Sequence, residues 1–165
     1  MSDTGSAPAS NRFVYDPQTQ PELFDGILSK RIVAFIIDAI FIVLLMVPAA
    51  LMILILGILT LGIAWLLFPA LFAIVALGYC ALTLGGRASA TPGMRVVGVE
   101  MRTWNGQGMF PMLAAMHALI FWFSCGILTP LILLVGLFTP RRQLLHDLLL
   151  GVVALNAEPL ARLGK

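Results

Sequence analysis

The chain has 165 residues, of which 60% are hydrophobic and 11% charged, with a net charge of +2 and a mean hydropathy of +1.00. It is far more apolar than a soluble globular domain, so one integral membrane domain is the expected class. Its basic residues sit in short segments between apolar runs, which excludes a nucleic-acid surface, and Cys80 and Cys125 both lie within such runs, which excludes a disulfide framework.

Residues 1–20 are rich in Ser, Ala, Pro and Gln and lack a basic start followed by an apolar core. They read as a polar, disordered tail and not as a cleaved signal peptide, and no lipidation pattern is present. From Ile32 to Leu84 the only charged residue is Asp38. At about 20 residues per crossing this run is long enough for two, and it must fold back on itself. The break belongs in "GILTLG", residues 57–62, which predicts one membrane helix over about 31–56 and a second over about 63–84. Pro48 and Pro69 fall inside these spans, where proline marks a kink and not an end.

Residues 85–111 form a polar loop with structure of its own. "RVVGVEMRT" followed by Asn105-Gly106 predicts a short strand and a tight type I′ reversal. Thr91 before Pro92 predicts a capped helical turn.

The third apolar run, 112–138, spans about 40 Å at roughly 1.5 Å per residue. That suits one tilted crossing or two half-depth helices meeting at "SCGILTP", and both alternatives stand. Arg12, Lys30 and Arg31 precede the first helix, Arg87, Arg95 and Arg102 lie in the long loop, and Arg141 and Arg142 follow the third run. Keeping all of them on the cytoplasmic side favours the re-entrant pair over a single crossing.

Residues 140–150 then predict a short interfacial amphipathic helix, with Thr139 as cap, Pro140 at its first position and Gly151 as stop. "VVAL", residues 152–155, is placed as a strand beside "VVGV", 96–99. Residues 157–165 are a tail. There is no internal repeat.

An ionised carboxylate within a membrane helix costs about 2.5–3.5 kcal/mol on insertion scales, so Asp38 requires a partner, a cavity or an ion path. It follows Arg31 by two helical turns on one stripe. Because helical side chains lean toward the N-terminus, the two make a poor direct pair. The candidate partners are Asp147 for Arg31, and Arg87, Arg95 or His146 for Asp38. Two accounts are open: a structural ion-pair network that locks the helices together, and a proton- or cation-binding Asp38. His146 and Asp147, next to Arg141 and Arg142, also read as a solvated face at the headgroups, and His117 as a satisfied core histidine. No Ser/His/Asp set, phosphate-binding glycine motif or metal-ligand cluster is visible, so neither an enzyme nor a cofactor is expected.

"KRIVAFIIDAIFI", "TPGMRVVGVEMRTWNGQG" and "RRQLLHDLLLGVVAL" together resemble the RDD family of bacterial membrane proteins over about residues 21–156. Arg31 and Asp38 match the first two residues that name the family, and Asp147 matches the third. The element usually read Thr-Pro-Gly-Lys appears as Thr91, Pro92, Gly93 and Met94, with Arg95 next as the stand-in cation.

The resemblance implies a multi-pass inner-membrane protein, and the basic flanks place its N-terminus on the cytoplasmic side. Some members of the family are assigned to exchange of sodium or potassium against protons. The expected fold is an all-α integral membrane protein with two full transmembrane helices, a third apolar segment and a small cytoplasmic cap of β-hairpin and short helix. Two functions follow. One is a cation/proton exchanger with Asp38 as the titrating site and Arg31, Asp147, His146 and Arg95 around it; so few helices then require a homo-oligomer. The other is an assembly module in which the same residues are structural and the helices bind a partner membrane protein.

Overall fold

The computed structural model describes residues 14–128 and 131–163. It is mostly helical, and two of its helices are long and apolar enough to cross a membrane. The first, α1 (Ile27–Leu59), is a single 33-residue helix that runs through Pro48. It starts four residues earlier than the sequence suggests, because Gly26 takes the left-handed conformation (φ 64°) at its N-cap and frees Ile27 to turn inward, where it is buried.

The chain reverses over residues 60–62. A 3-10 segment (Ile63–Ala70) leads into α2 (Leu71–Thr83), and together they make the second apolar span of 21 residues. Trp65 lies directly over Gly57, where any Cβ would collide with its indole, and donates from Nε1 to the Leu54 carbonyl at 3.3 Å. That contact closes the helical hairpin.

After α2 come a short helix, α3 (Pro92–Val96), and a strand, β1 (Val99–Thr103). Thr91 caps α3, accepting from the Met94 amide at 3.2 Å. The turn after β1 differs from the expected type I′ reversal. Within it only Gly106 has positive φ (80°), its amide bonds the Thr103 carbonyl at 2.9 Å, and the Thr103 amide bonds Gln107. This is a three-residue loop with glycine at the left-handed position, and its return leg makes a single bridge, Arg102 to Gly108.

The partner of β1 comes from far along the chain: β2 (Val152–Asn156) pairs with it antiparallel, Val99 opposite Asn156 and Thr103 opposite Val152. The strand expected at 96–99 is thus shifted to 99–103, because Thr91 and Pro92 commit residues 92–96 to helix. Val152 and Ala154 face a cluster with Ile27, Leu84 and Met101, while Val153 and Leu155 face Tyr15, Leu23 and Phe24. The two-residue period of a strand serves two cores at once.

That second core corrects the reading of both tails. Residues 1–13 lie outside the described residues, but Val14 bonds the Trp104 carbonyl and Tyr15 is buried. At the other end α7 (Ala157–Leu163) packs Leu160 on the same cluster.

The third apolar run forms α4 (Pro111–Leu128) and α5 (Leu131–Phe138). Pro111 abuts Gly85 just beyond α2, and Gly136 near the end of α5 abuts Leu28 at the start of α1 and Leu144. Both ends of the run therefore lie at the same end of the bundle. A turn with Arg142 at φ 52° follows, and α6 spans Leu145–Leu150. It begins five residues after the expected start, because Gln143 and Leu144 are buried in the turn and Asp147, not Thr139, accepts from the amide of the N-cap residue, Leu144. Gly151 ends it at φ 65°, as the glycine stop predicts.

Candidate functional site

Two buried polar clusters face one open cavity of about 400 Å³ lined by α1, α2, α3, α4 and α6. The first is built on Asp38, which is 8% exposed. Its Oδ1 accepts from Tyr79 Oη at 2.6 Å and from the Gly93 amide at 2.8 Å, and its Oδ2 accepts from Thr91 Oγ1 at 2.5 Å. One carboxylate thereby joins α1, α2 and the N-terminus of α3, where oriented amides favour negative charge. Gly93 is required there. A Cβ at this position would collide with the Ala34 carbonyl and stand 2.8 Å from the Asp38 carboxylate.

None of the three cations expected to pair with Asp38 does so. Arg95 donates from Nε to the Ala90 carbonyl at 3.3 Å, Arg87 is exposed, and His146 belongs to the other cluster. Among the described residues no cation lies within 4.0 Å of Asp38. Its partners are neutral dipoles. Tyr79 left no pattern in the sequence, since a lone tyrosine in an apolar helix reads as packing. Thr91 and Gly93 were visible as a cap and a turn, with nothing to aim them at residue 38.

The second cluster is built on Asp147, fully buried on α6. Arg31 bonds both of its oxygens, Nη1 to Oδ2 and Nη2 to Oδ1 at 3.1 Å. Oδ2 also accepts from the Leu144 amide at 2.9 Å. His117 of α4 places Nε2 2.8 Å from Oδ1, and His146 Nε2 is 3.4 Å from the same atom. The pairing of Arg31 with Asp147 is the one the sequence suggests. The solvated-face reading of His146 and Asp147 is overturned, since both are completely buried.

Burial would raise the Asp147 carboxyl, but the Arg31 charge and the His117 hydrogen bond outweigh it and hold the group well below the usual carboxylate range. For His146 burial dominates, opposed by Asp147 and reinforced by His117 and Arg31, and its pKa is pushed down to about 3. The ring is neutral at physiological pH. His146 Nδ1 is buried without a hydrogen-bond partner among the described residues.

The cavity wall is otherwise apolar, formed by residues such as Phe35, Ile42, Phe121 and Trp122. Trp122 packs edge-on against Phe72 at 4.9 Å and Phe121 against Phe35 at 5.6 Å, which ties α4 to both long helices. Cys80 is a free thiol at the same wall.

A family model described as RDD family matches residues 26–151. No curated protein and no solved structure matches the chain. The matched region contains Arg31, Asp38 and Asp147 with every partner described above.

Proposed function

The chain belongs to the RDD family and is a membrane protein, and from that premise we propose that it is a multi-pass inner-membrane exchanger of monovalent cations for protons, with Asp38 as the titrating acid. The observation that carries this reading is the missing countercharge. Arg31 and Asp147 neutralise one another, whereas Asp38 sits at the wall of the same cavity with only neutral donors within bonding distance among the described residues. A charge of that kind within a membrane helix is costly, and a proton or a cation entering the cavity would relieve it.

The return of α5 to the starting end of α1 supports a re-entrant third segment, with Arg141 and Arg142 on the side of Lys30 and Arg31. The N-terminus, the loop and the sheet then share the cytoplasmic face. So small a bundle encloses no complete path, and the exchanger works as a homo-oligomer.

A second reading, a non-transporting assembly module, draws on the same carboxylate: its three hydrogen bonds already join α1, α2 and α3. Proton flux in proteoliposomes on adding sodium or potassium separates the two. Cation-dependent flux in wild type that disappears in a folded Asp38→Asn variant supports exchange. Absence of flux in both favours the assembly module. A reporter-fusion map that finds the C-terminus outside overturns the re-entrant arrangement.

A further inference from the structure

The sequence contains two histidines, His117 and His146. They lie on different helices, yet both aim Nε2 at one oxygen, Asp147 Oδ1, from 2.8 and 3.4 Å, with their rings 4.7 Å apart and steeply inclined. The three ligating atoms lie within 4.8 Å of one another. Separations of about 3 Å are what two imidazoles and a carboxylate adopt around a first-row divalent ion held at about 2.0–2.2 Å.

We propose that His117, His146 and Asp147 form a binding site for one divalent transition-metal ion of the zinc or cobalt type, opening onto the cavity between α1, α2 and α4. Two imidazoles with one carboxylate are a ligand set that such ions prefer over sodium, potassium or magnesium. All three side chains are buried. His146 Nδ1 has no hydrogen-bond partner among the described residues, so the polar contacts of His146, with Asp147 and Arg31, run through Nε2, and the ring packs on His117 and Phe121. Both histidines line the cavity, which gives an ion an entrance and leaves a coordination position for an exchangeable ligand.

Arg31 bonds both oxygens of Asp147 and the Leu144 amide bonds Oδ2, which fixes the carboxylate and leaves the second lone pair of Oδ1 for the ion; Arg31 Nη2 also stands 3.5 Å from His146 Nε2. The ligating form of His117 is the one with its lone pair on Nε2. Asp38 at the same cavity wall adds negative charge against the incoming cation. The site stands whether or not the protein transports anything.

The test uses full-length protein in detergent with any affinity tag removed and metal stripped by chelator, titrated with Co²⁺. The expected result is one ion per chain, with a visible ligand-field spectrum and X-ray absorption reporting two imidazoles. The binding should be lost in His117→Gln and His146→Gln and kept in Gly78→Ala, where an added methyl group meets nothing within 4 Å. Failure of wild type to take up a stoichiometric ion, or a bound ion with fewer than two imidazoles, overturns the site. Because the wild-type spectrum counts the imidazoles directly, the test survives a glutamine variant that does not fold.

Discussion

Arg31 and Asp38 stand two turns apart on α1 and line one cavity, yet each reaches a different distant segment. Arg31 bonds Asp147 of α6, 116 positions along the chain, and Asp38 bonds Thr91 and Gly93 at the start of α3. The lean of helical side chains toward the N-terminus accounts for the divergence. Arg31 is carried out toward the end of the bundle where α6 and the sheet sit, and Asp38 stays at the level of α2 and α3. One helix face thus anchors two parts of the cap independently.

Removing only one member of the Arg31–Asp147 pair leaves a buried charge without its partner. Arg31→Met is expected to cost about 3–5 kcal/mol. The double variant Arg31→Met with Asp147→Leu recovers much of that, because no isolated charge remains. Thermal unfolding in detergent reads both, and a double variant no more stable than Arg31→Met would refute the pairing as the source of the loss.

Thr91 serves two bonds with one hydroxyl, donating to Asp38 and accepting from the Met94 amide. Thr91→Val therefore loses a cap and leaves Asp38 one donor short, an expected cost of about 2 kcal/mol. Tyr79→Phe removes one donor alone and should cost about half as much. Equal losses in the two variants would show that the cap contributes nothing.

The apolar runs, the reversal at residues 57–62 and the link between Arg31 and Asp147 were legible because hydropathy and charge are written locally. The β1–β2 pairing lay within reach as a valine-rich match, but its register was not, since the register depends on where α3 ends. The partners of Asp38 were hidden for a different reason. A carboxylate satisfied by a tyrosine, a threonine and a backbone amide needs no complementary charge, and charge was the signal being followed. His117 was read as a satisfied core residue. Its partner, Asp147, emerges only once α4 and α6 are packed together.

Acid sensitivity should trace to His146. Its folded pKa of about 3 lies below the ordinary value of 6.5, so the unfolded chain takes up a proton that the folded chain refuses. The stabilisation is complete above about pH 6.5 and declines as pH falls toward 3, by roughly 1.4 kcal/mol per unit at most. Asp147 is shifted in the same direction: its folded value lies below the ordinary 3.8, so its contribution is present above that pH and is lost only below it. Between pH 6.5 and 4 His146 therefore contributes a slope and Asp147 does not. Unfolding midpoints followed across that range with chelator present should flatten in His146→Gln, and an unchanged slope would assign the acid sensitivity elsewhere.

Two glycines of the chain provide matched substitutions with opposite outcomes. Gly93 sits where α3 meets α1, and a methyl group there has no room: the Ala34 carbonyl is backbone and cannot swing aside, and the Asp38 carboxylate is pinned by three donors. Gly93→Ala must push α3 off α1, which breaks the Gly93 amide bond to Asp38 and moves Thr91 with it. A loss of about 1–3 kcal/mol is expected, together with the lost hydrogen bond. Gly78, one residue before Tyr79 on α2, has nothing within 4 Å of an added Cβ. Gly78→Ala should leave stability unchanged or raise it by about 0.5–1 kcal/mol through the better helix former. Unfolding of both variants beside wild type decides the matter, and a Gly93→Ala protein as stable as Gly78→Ala would mean that the contact between α3 and Asp38 is not what holds the cap to the membrane helices.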